Sequence, residues 1–343
     1  MTAMVQAQSL RGYRELVGDL GGNPTRLLRK TGIEPAALDQ LTAFISFEAV
    51  TELLESSSSE LDCPDFGLRL AERQDIGILG TLAVAMRYSA TVGEAMFTAS
   101  QYLDVYNAAV SFSITTDDDR GQARLVFRLL PGHHHRWAQM AEHGIGLTWR
   151  VLTLLSGGQS HLQGVWFPHP AAATEESYRA RFPGPLVFGA EQAALAVAQG
   201  DLDLPISENI EELHDLATRY LDSQLPRGRT ALSAQVRQAI EPLLGTGTCT
   251  QREVARVLYM HPRTMHRRLQ AEGTTFEEIK NEARRDLAQR YLAQSELPLS
   301  QITALLGYSE QSALGRSCRR WFNATPRAMR ARLSSGSLAP SIA

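Results

Sequence analysis

Apolar residues recur at helical spacing through the first hundred positions. RELVGDL, FEAVTELLESSSSELD, FGLRLAER and GEAMFTASQYLDVY each set them three or four apart, so residues 10–106 read as mostly helical. The period then changes. Between about Ala108 and Leu130, AVSFSITT and QARLVFRLL alternate β-branched or aromatic side chains with polar ones around DDDRGQ, which predicts a hairpin. RWAQMAEHGIGLTWRVLTLL returns to the helical period as one long helix. The short runs GVWF, LVFG and AALAV, separated by Pro/Gly-rich turns, read as strands. SENIEELHDLATRYLDSQL is an acidic amphipathic helix, PRGRT reads as a linker, and everything beyond is helical. The expected fold is an α+β N-terminal domain followed by an all-α C-terminal domain. Its boundaries are 1–225, a linker at 226–232, the second domain at 233–335 and a flexible tail at 336–343.

Two segments of the tail share one pattern. In TQREVARVLYMHPRTMHRRLQAEG, Thr250 and Glu253 have capping-box spacing, and Val254, Ala255 and Leu258 form an apolar stripe. Pro262 has no N–H to continue that helix and suits the first turn of the next; His261 precedes it. Met265 and Leu269 then face inward, leaving Arg263, His266, Arg267 and Gln270 outside. In LSQITALLGYSEQSALGRSCRRWFNATPRAMR, Ser300 is the expected cap of a helix with Ile302, Thr303 and Leu306 inward. Gly307 takes a turn that needs positive φ. Ser309 is the expected cap of a last helix that buries Ala313, Leu314, Cys318, Trp321 and Phe322. Its outer face carries Gln311, Ser312, Gly315, Arg316, Arg319 and Arg320. Each segment is a helix-turn-helix, the geometry that docks a helix in a major groove. FEEIKNEARRDLAQRYLAQ joins them as a helix about 28 Å long, against about 34 Å for one turn of DNA.

Charge supports this reading. The chain carries a net −3, but residues from Arg229 onward hold 17 Arg/Lys against 9 Asp/Glu, a net +8, and residues 1–228 a net −11. A basic helical tail of this kind meets phosphates. Arginine pairs bidentately with guanine and glutamine with adenine. Arg263, Arg267, Gln311 and Arg316 are therefore the base-edge candidates, supported by His266, Gln270 and Ser312; Arg268, Arg319 and Arg320 are phosphate candidates. A hydrophobic fraction of 43% is ordinary for a soluble protein, and no apolar run spans a bilayer. Cys63, Cys249 and Cys318 are far apart, with no metal or disulfide pattern, which suits a reducing cytoplasm. No GxSxG, Walker loop, GxGxxG followed by a helix, or HExxH occurs, so neither an enzyme nor a cofactor is expected.

RTMHRRLQAEGTTF, ARRDLAQRYL and LGYSEQSALGRSCRRWFNATPRAMR resemble the DNA-binding domain of the AraC/XylS family, from about Ser233 to Arg332. LDCPDFGLRLAERQDIGILG, SLRGYRELV and YRARFPGPLVFGAEQAALAV resemble the arabinose-binding-like effector domain of that family's VirS/OruR subgroup. The sequence departs from the family pattern at Tyr259, a bulky turn residue, and at Asn323, which replaces a glycine. It departs also at Gly315, where members often contact DNA, and at Cys318, usually phenylalanine. The resemblance implies a transcription regulator, an activator in the first instance with repression the other sign. Its partners would be double-stranded promoter DNA, RNA polymerase, a small-molecule effector and a second copy of the chain. The alternative is a constitutive DNA-binding regulator whose N-terminal domain only dimerises. No effector residues are assigned. Tyr88, Tyr102, Tyr106, Trp137, Trp149 and Trp166 are core residues or the lining of a pocket, and His133, His134 and His135 read as a solvated loop rather than a metal site.

Overall fold

The computed structural model describes all residues except 1–2, 41–42, 108, 118–119, 130–136, 225–231, 259, 261, 295–296 and 335–343. The linker segment PRGRT, Tyr259, His261, His133–His135 and the tail 336–343 thus lie outside the described residues. The chain divides into two compact units, Met1–Leu225 and Pro226–Ala343.

The N-terminal unit is α+β. Its helices are α1 (Tyr13–Asp19), α2 (Pro24–Lys30), α3 (Phe47–Glu60), α4 (Phe66–Glu72), α5 (Thr81–Arg87), α6 (Val92–Tyr106), α7 (Ala138–Leu155), α8 (Glu175–Arg179) and α9 (Glu211–Gln224). Strands β1 (Met4–Gln6) and β2 (Phe44–Ser46) pair antiparallel. The main sheet runs β3 (Val110–Asp117), β4 (Gln122–Leu129), β7 (Ala193–Ala198), β5 (Leu162–Phe167), β6 (Leu186–Phe188) in spatial order. The predicted hairpin is β3–β4, with Val110 opposite Leu129 and Asp117 opposite Gln122. The strands expected at GVWF, LVFG and AALAV form as β5, β6 and β7, and only β5–β6 is parallel.

Helix α7 joins the layers, packing on β4 and β7 and also on α3 and α4. The approach of α4 explains part of the LDCPDFGLRLAER pattern. A Cβ on Gly67 would sit 2.1 Å from the Gln139 carbonyl oxygen, so only glycine fits there. The Gln139 side chain accepts from the Gly67 N–H (2.8 Å) and donates to the Pro64 carbonyl (2.8 Å), tying α7 to the start of α4. Beside this contact Asp65 is enclosed. Burial pushes its carboxyl up, but Ser177, Arg69 and Arg181 outweigh that and hold it below its usual range.

Glu142, one turn along α7, is fully buried and accepts a hydrogen bond from the Tyr178 hydroxyl. His169 Nε2 lies 3.9 Å from the same carboxyl. Burial raises Glu142 to about 8 against the opposing bond from Tyr178. The native state therefore holds this proton more tightly than the unfolded chain does, whose ordinary value is 4.5. That contribution is fully present below about 4.5 and is lost as the pH rises toward 8. Glu142→Gln cannot ionise and still accepts from Tyr178. Its melting temperature is expected to gain on the wild type's between pH 5 and pH 8; a constant difference would contradict the assignment.

The C-terminal unit is all-helical: α10 (Leu232–Leu243), α11 (Gln251–Val257), α12 (Pro262–Ala271), α13 (Phe276–Gln294), α14 (Leu299–Leu305), α15 (Gln311–Phe322) and α16 (Pro326–Ser334). The joining helix is α13, with Phe276, Ile279, Ala283, Leu287, Ala288 and Leu292 as its buried stripe.

Candidate DNA interface and an internal cavity

Thr250 caps α11 as its spacing predicts, accepting from the Glu253 N–H at 3.2 Å. The capping box is only half closed, because the Glu253 carboxylate takes Arg256 (2.9 Å) and the Thr250 N–H goes to the Thr248 carbonyl (2.7 Å). Pro262 opens α12, with Met265 and Leu269 fully buried and Thr264 buried beside them. Arg263, His266 and Gln270 are exposed; Arg267 and Arg268 are half-buried, so Arg267 is less open than a position on the outer face suggests.

In the second unit both serine caps are corrected. Helix α14 starts at Leu299 with Pro298 at its cap, which places Ser300 inside the first turn. Helix α15 starts at Gln311 with Glu310 at the cap position, one residue after Ser309. Its carboxylate accepts from the Ser312 hydroxyl (2.9 Å) and carries a negative charge at a positive helix end. Ile302, Thr303, Leu306, Leu314 and Cys318 are buried as expected, and Ser317 joins them; Ala313, Trp321 and Phe322 are only half-buried. Burial pushes the Cys318 thiol up to about 11, so it is a protonated core residue near neutral pH. Asn323 ends α15 in the left-handed region at φ 49°, the conformation that asparagine tolerates in place of glycine.

Gln311, Ser312, Arg316, Arg319 and Arg320 are exposed on one helix, and space beside Gly315 is open. Arg316 Nη1 lies 3.5 Å from the Ser312 hydroxyl. Arg320 donates to the Asn281 side chain of α13 (2.7 Å), and so does the Trp321 indole (3.2 Å). Arg320 therefore fastens α15 to the joining helix as well as presenting charge. A groove between α13 and α15 is lined by Glu277, Glu278, Asn281, Arg284, Arg316 and Arg320, among others.

The residues that fix this arrangement are ones the motif reading passed over. Arg284, on α13, donates to the Leu306 carbonyl (2.9 Å) and the Gly307 carbonyl (3.1 Å), with its guanidinium 4.5 Å from the centre of the Tyr308 ring. The Tyr308 hydroxyl shares a hydrogen bond with Ser317 of α15 (2.9 Å), which links the turn to its second helix. Lys280, one turn earlier on α13, donates to the Cys249 carbonyl just before α11. Glu272 accepts from the N–H groups of Leu232 and Ser233 (2.7 and 2.9 Å), capping α10 from 40 residues away. Both helix-turn-helix units are thus clamped to one rod.

Two family profiles match the chain. The N-terminal arabinose-binding domain of AraC transcription regulators covers residues 21–206, and a helix-turn-helix domain covers residues 254–332. The chain belongs to the AraC family of transcription regulators. It is a DNA-binding helix-turn-helix regulator. This AraC-family chain is 39% identical over 330 residues to the HTH-type transcriptional regulator VirS of Mycobacterium tuberculosis, covering 96% of this chain and 97% of that one. It is also similar, at 26% identity over 319 residues, to the ornithine utilization regulator of Pseudomonas aeruginosa, covering 91% and 92%. The crystal structure of the transcriptional regulator CdpR from Pseudomonas aeruginosa is 18% identical with a TM-score of 0.46, covering 93% of this chain and 97% of that one.

The N-terminal unit of this AraC-family protein contains a partly open cavity of about 120 Å³. None of the aromatic candidates with described side chains lines it. Tyr102 is wholly buried and donates to Asp222 (2.6 Å), and Trp166 lies under the Arg124 guanidinium at 4.3 Å. Tyr88, Trp137 and Trp149 are half-buried elsewhere, and the Tyr106 side chain lies outside the described residues. The aromatic rings on the cavity wall are instead the phenylalanines Phe47, Phe112 and Phe127. No helix among the described residues is long and apolar enough to cross a membrane.

The turn at Gly307 is the sharpest test of the clamp. Its φ is +69°, and a Cβ there would meet the Leu244 carbonyl oxygen at 2.2 Å. Left-handed backbone alone costs an L residue about 1–2 kcal/mol. With the clash added, Gly307→Ala is expected to destabilise the C-terminal unit by more than about 2 kcal/mol in urea unfolding. An unchanged midpoint would refute the geometry.

Proposed function

We propose that the exposed faces of α12 and α15 enter two successive major-groove segments of one promoter site. Two basic helix faces held by a single rod of 19 residues carry this reading. Arg263, Arg267, Gln311 and Arg316 read base edges, with His266, Gln270 and Ser312 in support. Arg268, Arg319 and Arg320 meet phosphates and set the register. The half-burial of Arg267 and Arg268 favours Arg263 as the principal reader on α12. The boundaries expected from the sequence, 1–225 and 233–335 with a linker at 226–232, follow the same division of labour.

The acidic N-terminal domain controls the reader through a small-molecule effector or through self-association. Its match to a domain described as arabinose-binding supports effector control, and the internal cavity offers the space. The chain acts in the cytoplasm by binding promoter DNA and RNA polymerase, as an activator, and not by turnover. A relative from a Rhodococcus species, 29% identical over 143 residues, is named a transcriptional activator.

Base readers and phosphate contacts respond differently to mutation. On duplexes selected from a random pool by the full-length protein, Arg316→Ala is expected to cost about 1–3 kcal/mol and to relax preference at a few base pairs. Arg319→Ala should weaken all duplexes alike and reduce the salt slope by about 1. Equal loss of sequence preference in the two variants would contradict the division of roles.

A further inference from the structure

The cavity in the N-terminal unit has a chemistry that can be read from its walls. Leu10, Val50, Leu54, Met86, Met96 and Phe127 supply much of the surface. No Asp, Glu, Lys or Arg among the described residues lines it. An ion entering would lose its hydration with no opposite charge to meet.

The polar side chains on the wall are Gln6, Gln8, Ser9, Asn107, His143 and Thr148, and most are engaged with the protein. Gln8 donates to the Gln6 side chain (2.6 Å), Thr148 donates to the Gly144 carbonyl (2.7 Å), and Asn107 accepts from the Ala109 N–H (3.1 Å). Gln74, behind the wall, fixes the state of His143. Its amide nitrogen donates to the carbonyls of Ser9 and Arg11, both at 2.9 Å, which turns its oxygen toward His143 Nε2 at 2.7 Å. That oxygen can only accept, so Nε2 holds the ring proton and Nδ1 is the bare acceptor. Burial lowers the imidazole to about 4, so it stays neutral at physiological pH. Ser9, held next to His143 through Gln74, has its hydroxyl enclosed with no hydrogen-bond partner among the described residues. The wall among the described residues is therefore mostly apolar and uncharged, and its uncommitted hydroxyl and imidazole acceptor are those of Ser9 and His143.

Size narrows the occupant further. An apolar cavity of about 150 Å³ accommodates benzene, and this one holds about 120 Å³. We propose that the cavity binds a neutral, largely apolar molecule about the size of one aromatic ring, carrying a single hydroxyl that meets Ser9 and His143. A sugar fits this wall poorly, because its several hydroxyls would be buried against a mostly apolar surface. As an account of the effector, this inference rests on the control by effector proposed above.

Phenol is the probe, with toluene, benzoate and L-arabinose as comparators, titrated calorimetrically into the full-length protein. Phenol is expected to bind saturably and at least about fivefold more tightly than toluene, the value of one net hydrogen bond. Benzoate and L-arabinose should give no saturable heat. Ser9→Ala should reduce phenol affinity to that of toluene while leaving toluene unchanged. Ala99→Leu, which fills the cavity from α6, should abolish both. If Ala99→Leu does not fold by circular dichroism, the Ser9→Ala comparison decides. Absence of phenol binding, tighter binding of L-arabinose or benzoate, or phenol affinity unmoved in Ser9→Ala would overturn the inference. Operator affinity with and without phenol separates the two readings. Phenol bound as described, with operator affinity unchanged, upholds the cavity chemistry and contradicts effector control.

Discussion

Arg284 of α13 holds the turn of the second helix-turn-helix by two carbonyls at once, Leu306 and Gly307, while its guanidinium lies over Tyr308. A hydrogen bond from a charged donor contributes about 1.5–3 kcal/mol, and a cation over a ring adds about 0.5–2. The contact fixes more than local geometry. Gly307 can press against Leu244 only because the turn is held in the left-handed region, and Tyr308 then reaches Ser317 to set the second helix of the unit. Lys280 does the corresponding work on the other unit by taking the Cys249 carbonyl. Both grips come from one helix, α13.

That constraint is what turns two ordinary motifs into a reader with a defined span. A single recognition helix contacts a few base pairs, and its phosphate contacts carry little sequence information. On the docking proposed above, two such helices on one rod of about 28 Å would meet the duplex about one turn apart. Arg320 shows how closely architecture and charge are interleaved: it is exposed on α15, yet one of its donors is bound to Asn281 of the rod.

Local signals were the legible ones. The change of hydrophobic period at the β3–β4 hairpin, the proline opening α12, the glycine at 307 and the 19-residue rod are all set by residues within a turn or two of themselves. The serine caps were misplaced because Pro298 and Glu310 compete with Ser300 and Ser309 one or two positions away, and tertiary packing decides which wins. Arg284 passed unnoticed because its partners lie 22 and 23 residues downstream, beyond any periodic pattern. The cavity was invisible for a related reason. Its wall is assembled from apolar residues between Val5 and Val151, none of which announces chemistry by itself, while the conspicuous aromatics are spent on packing. His143 gains its meaning only through Gln74, 69 residues away.

The central claim is that one chain reads two successive major-groove segments. Missing-nucleoside interference on a selected duplex, performed with full-length wild type, Arg263→Ala and Arg316→Ala, tests it most directly. The account predicts two clusters of interfering bases per chain on one face of the duplex, about 10 base pairs apart, with Arg263→Ala erasing one cluster and Arg316→Ala the other. A single cluster per chain, or two substitutions that erase the same cluster, would contradict it.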